Sequence, residues 1–288
     1  MKPYLEAIWF QYQRDLAQAR TADTRAPVVW RWLVAALLLA SGALLVVLTR
    51  GYHGWFFEVN FVGSFLPDAL LEHITLCGDG ALAITLLVIL LGRRHYRLHW
   101  AAFIATIIGA IFMNIIKREI YSPRPPKIYD VDTFHMVGPV YHWGGFPSGH
   151  TLTIFMLATL VAVCARSRSV GALAFGFAAI VGLSRIWVGL HWPVDVLIGA
   201  AMGIVIGIFS VLLAARWRHA VIWQVHLPVL LLFMAGPITL FVKVDYVEAQ
   251  AFAVTMGILA IALTLWRLLR LSPTRESGDA ALSGRAET

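Results

Sequence analysis

Charge is what this 288-residue sequence has least of: Asp, Glu, Lys and Arg make up 14% of it, where a soluble domain carries about 25%. With 59% hydrophobic residues and a mean hydropathy of +0.75, that shortage excludes a soluble globular domain. Cysteine is scarce too. Cys77 and Cys164 have no metal-ligand spacing to another Cys or His, and the expected topology sets them near opposite membrane faces, so neither a zinc site nor a disulfide is expected. No small-residue cleavage pattern follows the first apolar run, which starts only after about 30 residues and so reads as a retained span. No repeat recurs at a fixed period. Lysine is also rare, 4 against 19 Arg, a balance that suits a GC-rich bacterium.

What the chain does have is long apolar runs. A spanning helix needs about 20 apolar residues. Eight runs are candidates: 32–48, 74–91, 98–116, 151–165, 170–183, 194–215, 221–242 and 249–266, the fourth and fifth being short. The predicted fold is an all-α polytopic membrane helix bundle, with a six-span core over 28–218 and two additional spans over 219–271. Residues 1–27 form a cytoplasmic segment in which Leu5, Ile8, Trp9, Tyr12 and Leu16 recur at helical spacing. An interfacial amphipathic helix and a tail packed on its own protein fit it equally. Residues 272–288 are polar and expected to be disordered. In the sixth run Gly199, Gly203 and Gly207 repeat every four residues, a pattern for close helix packing.

The net charge of +7 would suit nucleic acid or anionic lipid if it were clustered. With both termini cytoplasmic, the inner side holds 16 Lys+Arg and 6 Asp+Glu, net +10, and the outer side 7 and 10, net −3. Every inner connection is basic, so the excess is a topology signal and no nucleic-acid partner is expected.

Three clusters fall on the outer side of that topology. The third is Ser184-Arg185, His191 and Asp195. Pro193 suits the first position of a helix, which puts Asp195 in its first turn. Four residues after His191, Asp195 can hold one ring nitrogen and leave the other to attack. Arg185 offers a planar fork of donors to phosphate oxygens. The second cluster is Pro147-Ser148-Gly149-His150, just before an apolar run. Ser148 fits an N-cap, the following N–H groups make an anion site, and His150 is a candidate general acid. The first cluster is Lys117 with Arg124-Pro125, two cations suited to neutralising phosphoryl charge.

Together, Lys117-x6-Arg124-Pro125, Pro147-Ser148-Gly149-His150 and Ser184-Arg185-x5-His191-x3-Asp195 resemble the three-part signature of the type-2 phosphatidic acid phosphatase superfamily. Its members include lipid phosphate phosphatases, bacterial undecaprenyl diphosphatases and soluble vanadium haloperoxidases. The resemblance covers roughly residues 28–218 and no signature position departs from the pattern. It implies that His191 is a nucleophile forming a phosphohistidine, oriented by Asp195, and that His150 is the general acid and then the base for water. It implies phosphoryl binding by Lys117, Arg124, Ser148, Gly149 and Arg185, with no metal and no cofactor. The sequence agrees in carrying no acidic cluster for magnesium beside these motifs.

The resulting expectation is a bacterial inner-membrane phosphatase for a lipid phosphate or diphosphate, undecaprenyl diphosphate favoured, with its site on the periplasmic face. A phosphotransferase passing the group to lipid A shares the first half-reaction. A non-catalytic lipid-binding or transport protein would have lost a signature residue. Outside the signature, Asp79 is an intramembrane acid, with a capping role weighed above an accessory site role. His135 and His142 read as surface residues, and Trp143, Phe146, Trp187 and Trp192 as interface anchors. The sequence leaves the oligomeric state and the role of the last two spans open.

Overall fold

The computed structural model describes residues 2–21, 29–90, 96–165, 167–217, 222–242 and 244–269. The expected disordered tail and most of the basic inner connections lie outside these residues. Among them every regular element is helical, as predicted. In chain order they are α1 (Lys2–Thr21), α2 (Trp30–Arg50), α3 (Phe56–Gly63), α4 (Asp68–Leu76), α5 (Gly80–Leu90), α6 (Tyr96–Glu119), α7 (Pro125–Ile128), α8 (Gly149–Cys164), α9 (Arg168–Trp187), α10 (Pro193–Arg216), α11 (Trp223–Phe233), α12 (Ala235–Thr239) and α13 (Gln250–Leu269).

Five helices are long and apolar enough to cross a membrane, α2, α6, α9, α10 and α13, and α8 and the α11–α12 pair are shorter apolar helices. The expected second span is not one straight helix. It is α4 and α5, meeting at 68° across Cys77-Gly78-Asp79. Packing and capping explain the break. A side chain at Gly78 would meet His150 Cβ at 2.8 Å, so the chain bends where it presses on α8. Asp79 then restarts the helix, its Oδ1 accepting from Ala81 N at 2.8 Å. The expected seventh span is likewise split, at Met234, just before Gly236-Pro237.

Helix α10 is the axis of the bundle and packs against α2, α6, α8 and α9. Its glycines make that possible. A Cβ on Gly199 would lie 2.7 Å from Ser148 O, one on Gly203 2.4 Å from Leu152 O, and one on Gly207 2.8 Å from Thr159 Cβ. Backbone therefore meets backbone along the α8–α10 contact, which fixes the relative height of the two helix starts. By contrast α2 buries little beyond Ala36 and Ala43 and presents Leu37, Leu38, Leu44, Leu45 and Leu48 outward, the surface of a helix facing lipid. In α1, Tyr12 and Leu16 are buried. Tyr12 Oη lies 2.7 Å from His226 Nδ1 and Trp9 packs edge-on against Trp223, so that face of α1 packs on its own chain. Cys77 is a free, buried thiol; the side chain of Cys164 lies outside the described residues.

Gly203→Ala is expected to lower the melting midpoint in detergent by about 5 °C, because a backbone carbonyl cannot move aside. Gly176→Ala, where nothing lies within 4 Å of the added carbon, is the control and holds or raises the midpoint. Equal midpoints for the two variants would contradict the packing described here.

Candidate active site

Four helix ends meet at one end of the bundle. Lys117 and Arg185 sit in the last turns of α6 and α9, while α8 and α10 begin there. Pro193 opens α10 and puts Asp195 in its first turn. Asp195 is fully buried. Its Oδ2 accepts from Trp192 N at 3.0 Å and lies 3.3 Å from His191 Nδ1. Its Oδ1 accepts a short hydrogen bond from the Tyr52 hydroxyl. Its backbone carbonyl accepts from Ser148 N at 3.0 Å, tying the second cluster to the third.

The other side of the His191 ring decides its tautomer. Arg124 Nη1 lies 3.3 Å from His191 Nε2. A guanidinium has no acceptor, so Nε2 accepts and must be unprotonated. The ring proton therefore sits on Nδ1 and is donated to Asp195. Burial, then the charges of Arg124, Arg185 and Lys117, hold the His191 imidazole well below its ordinary pKa, so it stays neutral. Burial, then the Asp195 carboxylate, raise the Tyr52 phenol, which remains an O–H donor.

Arg124 is set by the loop it belongs to. The chain from Ser122 to Gly145 folds back on itself, Pro123 bridging to Trp143, with Arg124 N donating to His142 O at 2.9 Å and Gly145 N to Ser122 O at 3.1 Å. The guanidinium then donates to Trp143 O at 2.9 Å, Gly144 O at 3.1 Å and Leu190 O at 3.4 Å. Burial, then Arg185, lower it to about 10, which leaves it charged at neutral pH. Ser148 caps α8 as predicted, its Oγ accepting from Thr151 N at 3.4 Å and from Thr151 Oγ1 at 2.8 Å. The N–H groups of the first turn at Gly149 and His150 have no partner within the helix. Lys117, Arg124 and Arg185 all lie within electrostatic reach of both His150 and His191. The eight candidate catalytic and phosphoryl-binding residues of the signature thus converge, around a centre with three cations and one carboxylate.

A cavity of about 410 Å³ opens from this centre between α5, α6 and α8. Lys117, Gly149 and His150 line its polar end, and Met113, Leu87, Leu157 and Leu160 are among its apolar walls. From Ala102 to Lys117 the α6 wall extends for ~22 Å along the helix.

The Asp79 carboxylate caps α5, the role weighed higher for it, its Oδ1 accepting from Ala81 N at 2.8 Å and from Leu82 N at 3.4 Å. Other residues fall elsewhere than the sequence implies. Trp192 is not at an interface: it is wholly buried, stacked on His53 with centroids 4.0 Å apart, and its Nε1 donates to Pro123 O at 2.8 Å. His142 is exposed, whereas His135 is partly covered and pairs with Asp68 at 2.9 Å. Tyr52, Thr75, Tyr141 and Tyr246 all touch signature residues or their supports and have no motif to announce them. Tyr52, Thr75 and Tyr246 lie far from their partners in the chain, and Tyr141 meets Arg124 only because their loop folds back, so no local spacing points to them.

Fold and site together define a membrane-embedded protein of the lipid phosphatase class. The family model described as "PAP2 superfamily" matches residues 98–219, and the chain belongs to that superfamily. It is 36% identical to undecaprenyl-diphosphatase BcrC of Bacillus subtilis over 49% of this chain and 71% of that protein. It is 30% identical to a lipid A 1-phosphatase of Rhizobium etli over 50% of this chain and 68% of the relative. Among solved structures, one of Aquifex aeolicus LpxE is 28% identical, with a TM-score of 0.49, over 54% of this chain and 91% of that one.

Removing the Tyr52 hydroxyl leaves a buried carboxylate oxygen short of a donor, which costs about 2 kcal/mol. Tyr52→Phe is expected to lower the melting midpoint by about 5 °C. Tyr141→Phe, whose partner Asp245 is exposed, should cost less than half of that. The hydrogen-bond assignment fails if the two variants melt together.

Proposed function

We propose that this protein hydrolyses a lipid phosphate or diphosphate, undecaprenyl diphosphate first, at the outer face of a bacterial cytoplasmic membrane through a phosphohistidine on His191. One observation carries the reading: the Nε2 lone pair of His191 faces Arg124 while Asp195 holds Nδ1–H. That is the arrangement of an oriented neutral nucleophile.

In the first step His191 Nε2 bonds to phosphorus as the bond to the leaving oxygen breaks. His150 gives that oxygen its proton. The phosphate beside His150 supplies the negative charge that favours the protonated imidazole there. Asp195 stabilises the ring as it becomes cationic. In the second step water attacks phosphorus, His150 takes its proton, the N–P bond breaks and His191 is restored. Lys117, Arg124, Arg185, Ser148 and the Gly149 N–H bind the phosphoryl oxygens and offset the charge that spreads over them. No step calls for a metal, and activity is expected to persist in EDTA.

The apolar cavity supports a lipid over a soluble phosphate, since a chain lying along α6 leaves its headgroup at His150. The relative named undecaprenyl-diphosphatase supports the first substrate, and those named lipid A phosphatases support lipid A as the second. With labelled substrates in detergent, undecaprenyl diphosphate should release inorganic phosphate fastest. Label appearing on added lipid A with little free phosphate would make the protein a phosphotransferase instead.

His191→Ala is expected to reduce turnover by at least about 10³-fold, and full turnover would end the phosphohistidine reading. The pH profile tests the electrostatics. The Arg124 cation holds the imidazole's pKa down, so its loss lets that pKa rise. On one substrate, the acid limb of kcat/KM for Arg124→Gln should lie at higher pH than that of the unaltered protein. An unmoved limb would contradict this.

A further inference from the structure

We propose that the segment joining the last two helices, residues 244–249, belongs to the site, with Tyr246 as a positioning residue for Arg185. The proposal rests on the phosphoryl-binding reading of Arg185. The superfamily match ends at residue 219, so the segment lies outside it.

Arg185 is almost fully buried. Its Nη1 donates to Thr75 Oγ1 and to the Tyr246 hydroxyl, the latter at 2.7 Å. Both hydrogens of Nη1 are therefore used by the protein. Its Nε, in contrast, is buried with no partner among the described residues. A guanidinium locked on one side and open on the other presents its remaining N–H donors in a fixed direction, which is what planar recognition of a phosphoryl group needs. Tyr246 accepts this bond from a rigid seat. It is itself buried, and its ring lies so close to Gly138 that a Cβ there would come within 2.5 Å of Tyr246 Cε1. Two residues on, Glu248 N donates to Glu72 Oε2 at 2.8 Å, fastening the segment to α4, which also carries Thr75.

The neighbouring residue reaches the other arginine. Asp245 Oδ2 accepts from the Tyr141 hydroxyl at 3.1 Å, and the Arg124 guanidinium lies over the Tyr141 ring, 5.4 Å from its centroid. Consecutive residues of one segment thus steady two cations that face the histidines. Helices α11 to α13 gain a role by this: they carry a clamp that sets the aim of the phosphoryl-binding arginines.

The test is Tyr246→Phe in the full chain, purified in detergent. Loss of a hydrogen bond to a charged group predicts about tenfold weaker binding of inorganic orthovanadate, a mimic of the five-coordinate phosphorus. Read by thermal stabilisation, that measurement does not depend on which lipid is the substrate. kcat/KM on undecaprenyl diphosphate should fall by a similar factor, and the melting midpoint of the free protein should fall by about 5 °C, as for Tyr52→Phe, because a buried Arg185 donor loses its partner. Unchanged orthovanadate binding overturns the proposal, whether or not activity falls through lost stability. His191→Ala in the same assay separates the two claims. If it is inactive while Tyr246→Phe keeps full activity and full orthovanadate binding, only this proposal fails. If His191→Ala turns over normally, the reading beneath it fails.

Discussion

One buried carboxylate organises this end of the molecule. Asp195 takes hydrogen bonds from Trp192 N, His191 Nδ1 and the Tyr52 hydroxyl, and its carbonyl takes one from Ser148 N. A carboxylate with no exposed surface is costly unless its oxygens are satisfied, so these donors are constrained to their places. Together they bring the start of α10, the cap of α8 and the loop after α2 to one point. Because α8 and α10 meet backbone to backbone at Gly199 and Gly203, the two helix starts cannot slide past one another. The anion site at Ser148 and the imidazole at His191 are therefore held by the same packing that holds the bundle.

Three cations around one carboxylate leave the site short of negative charge. In a buried setting that imbalance favours a ligand that brings it, and the phosphoryl group does so. The same cations, after burial itself, keep His191 neutral, so on the proposed function the charge that attracts the substrate also preserves the lone pair that attacks it. On the proposed function, the cavity between α5, α6 and α8 adds the apolar half of recognition. Gly78, at the break that turns α5 away from α4, lines this cavity beside His150.

How much of this can be read from the chain follows from how local each feature is. The Asp195 contact to His191 spans four residues, and the Ser148 cap three, so spacing alone foretells both. The glycine face of α10 is equally legible, because period four is a helix property. The kink at Gly78 is not, since apolar runs look alike whether one helix or two cross at 68°. The Asp79 cap is a local sign of a helix start, but the His150 contact that accompanies the bend lies far along the chain. Tyr52 and Tyr246 are hidden because they sit 143 and 61 residues from their partners, where no local spacing links them. Trp192 misleads in the opposite way, being placed next to the membrane edge in sequence but wholly buried under the site.

The central claim is that a covalent phosphate passes through His191. The most direct measurement is a rapid quench into alkali during turnover of undecaprenyl diphosphate labelled on its terminal phosphate, followed by peptide mapping. A phosphorus–nitrogen bond to imidazole survives alkali and is lost in acid. The prediction is label on the peptide that contains His191, appearing within the first turnover and removed by mild acid. Label absent from every peptide, or present only on one that lacks His191, would contradict it.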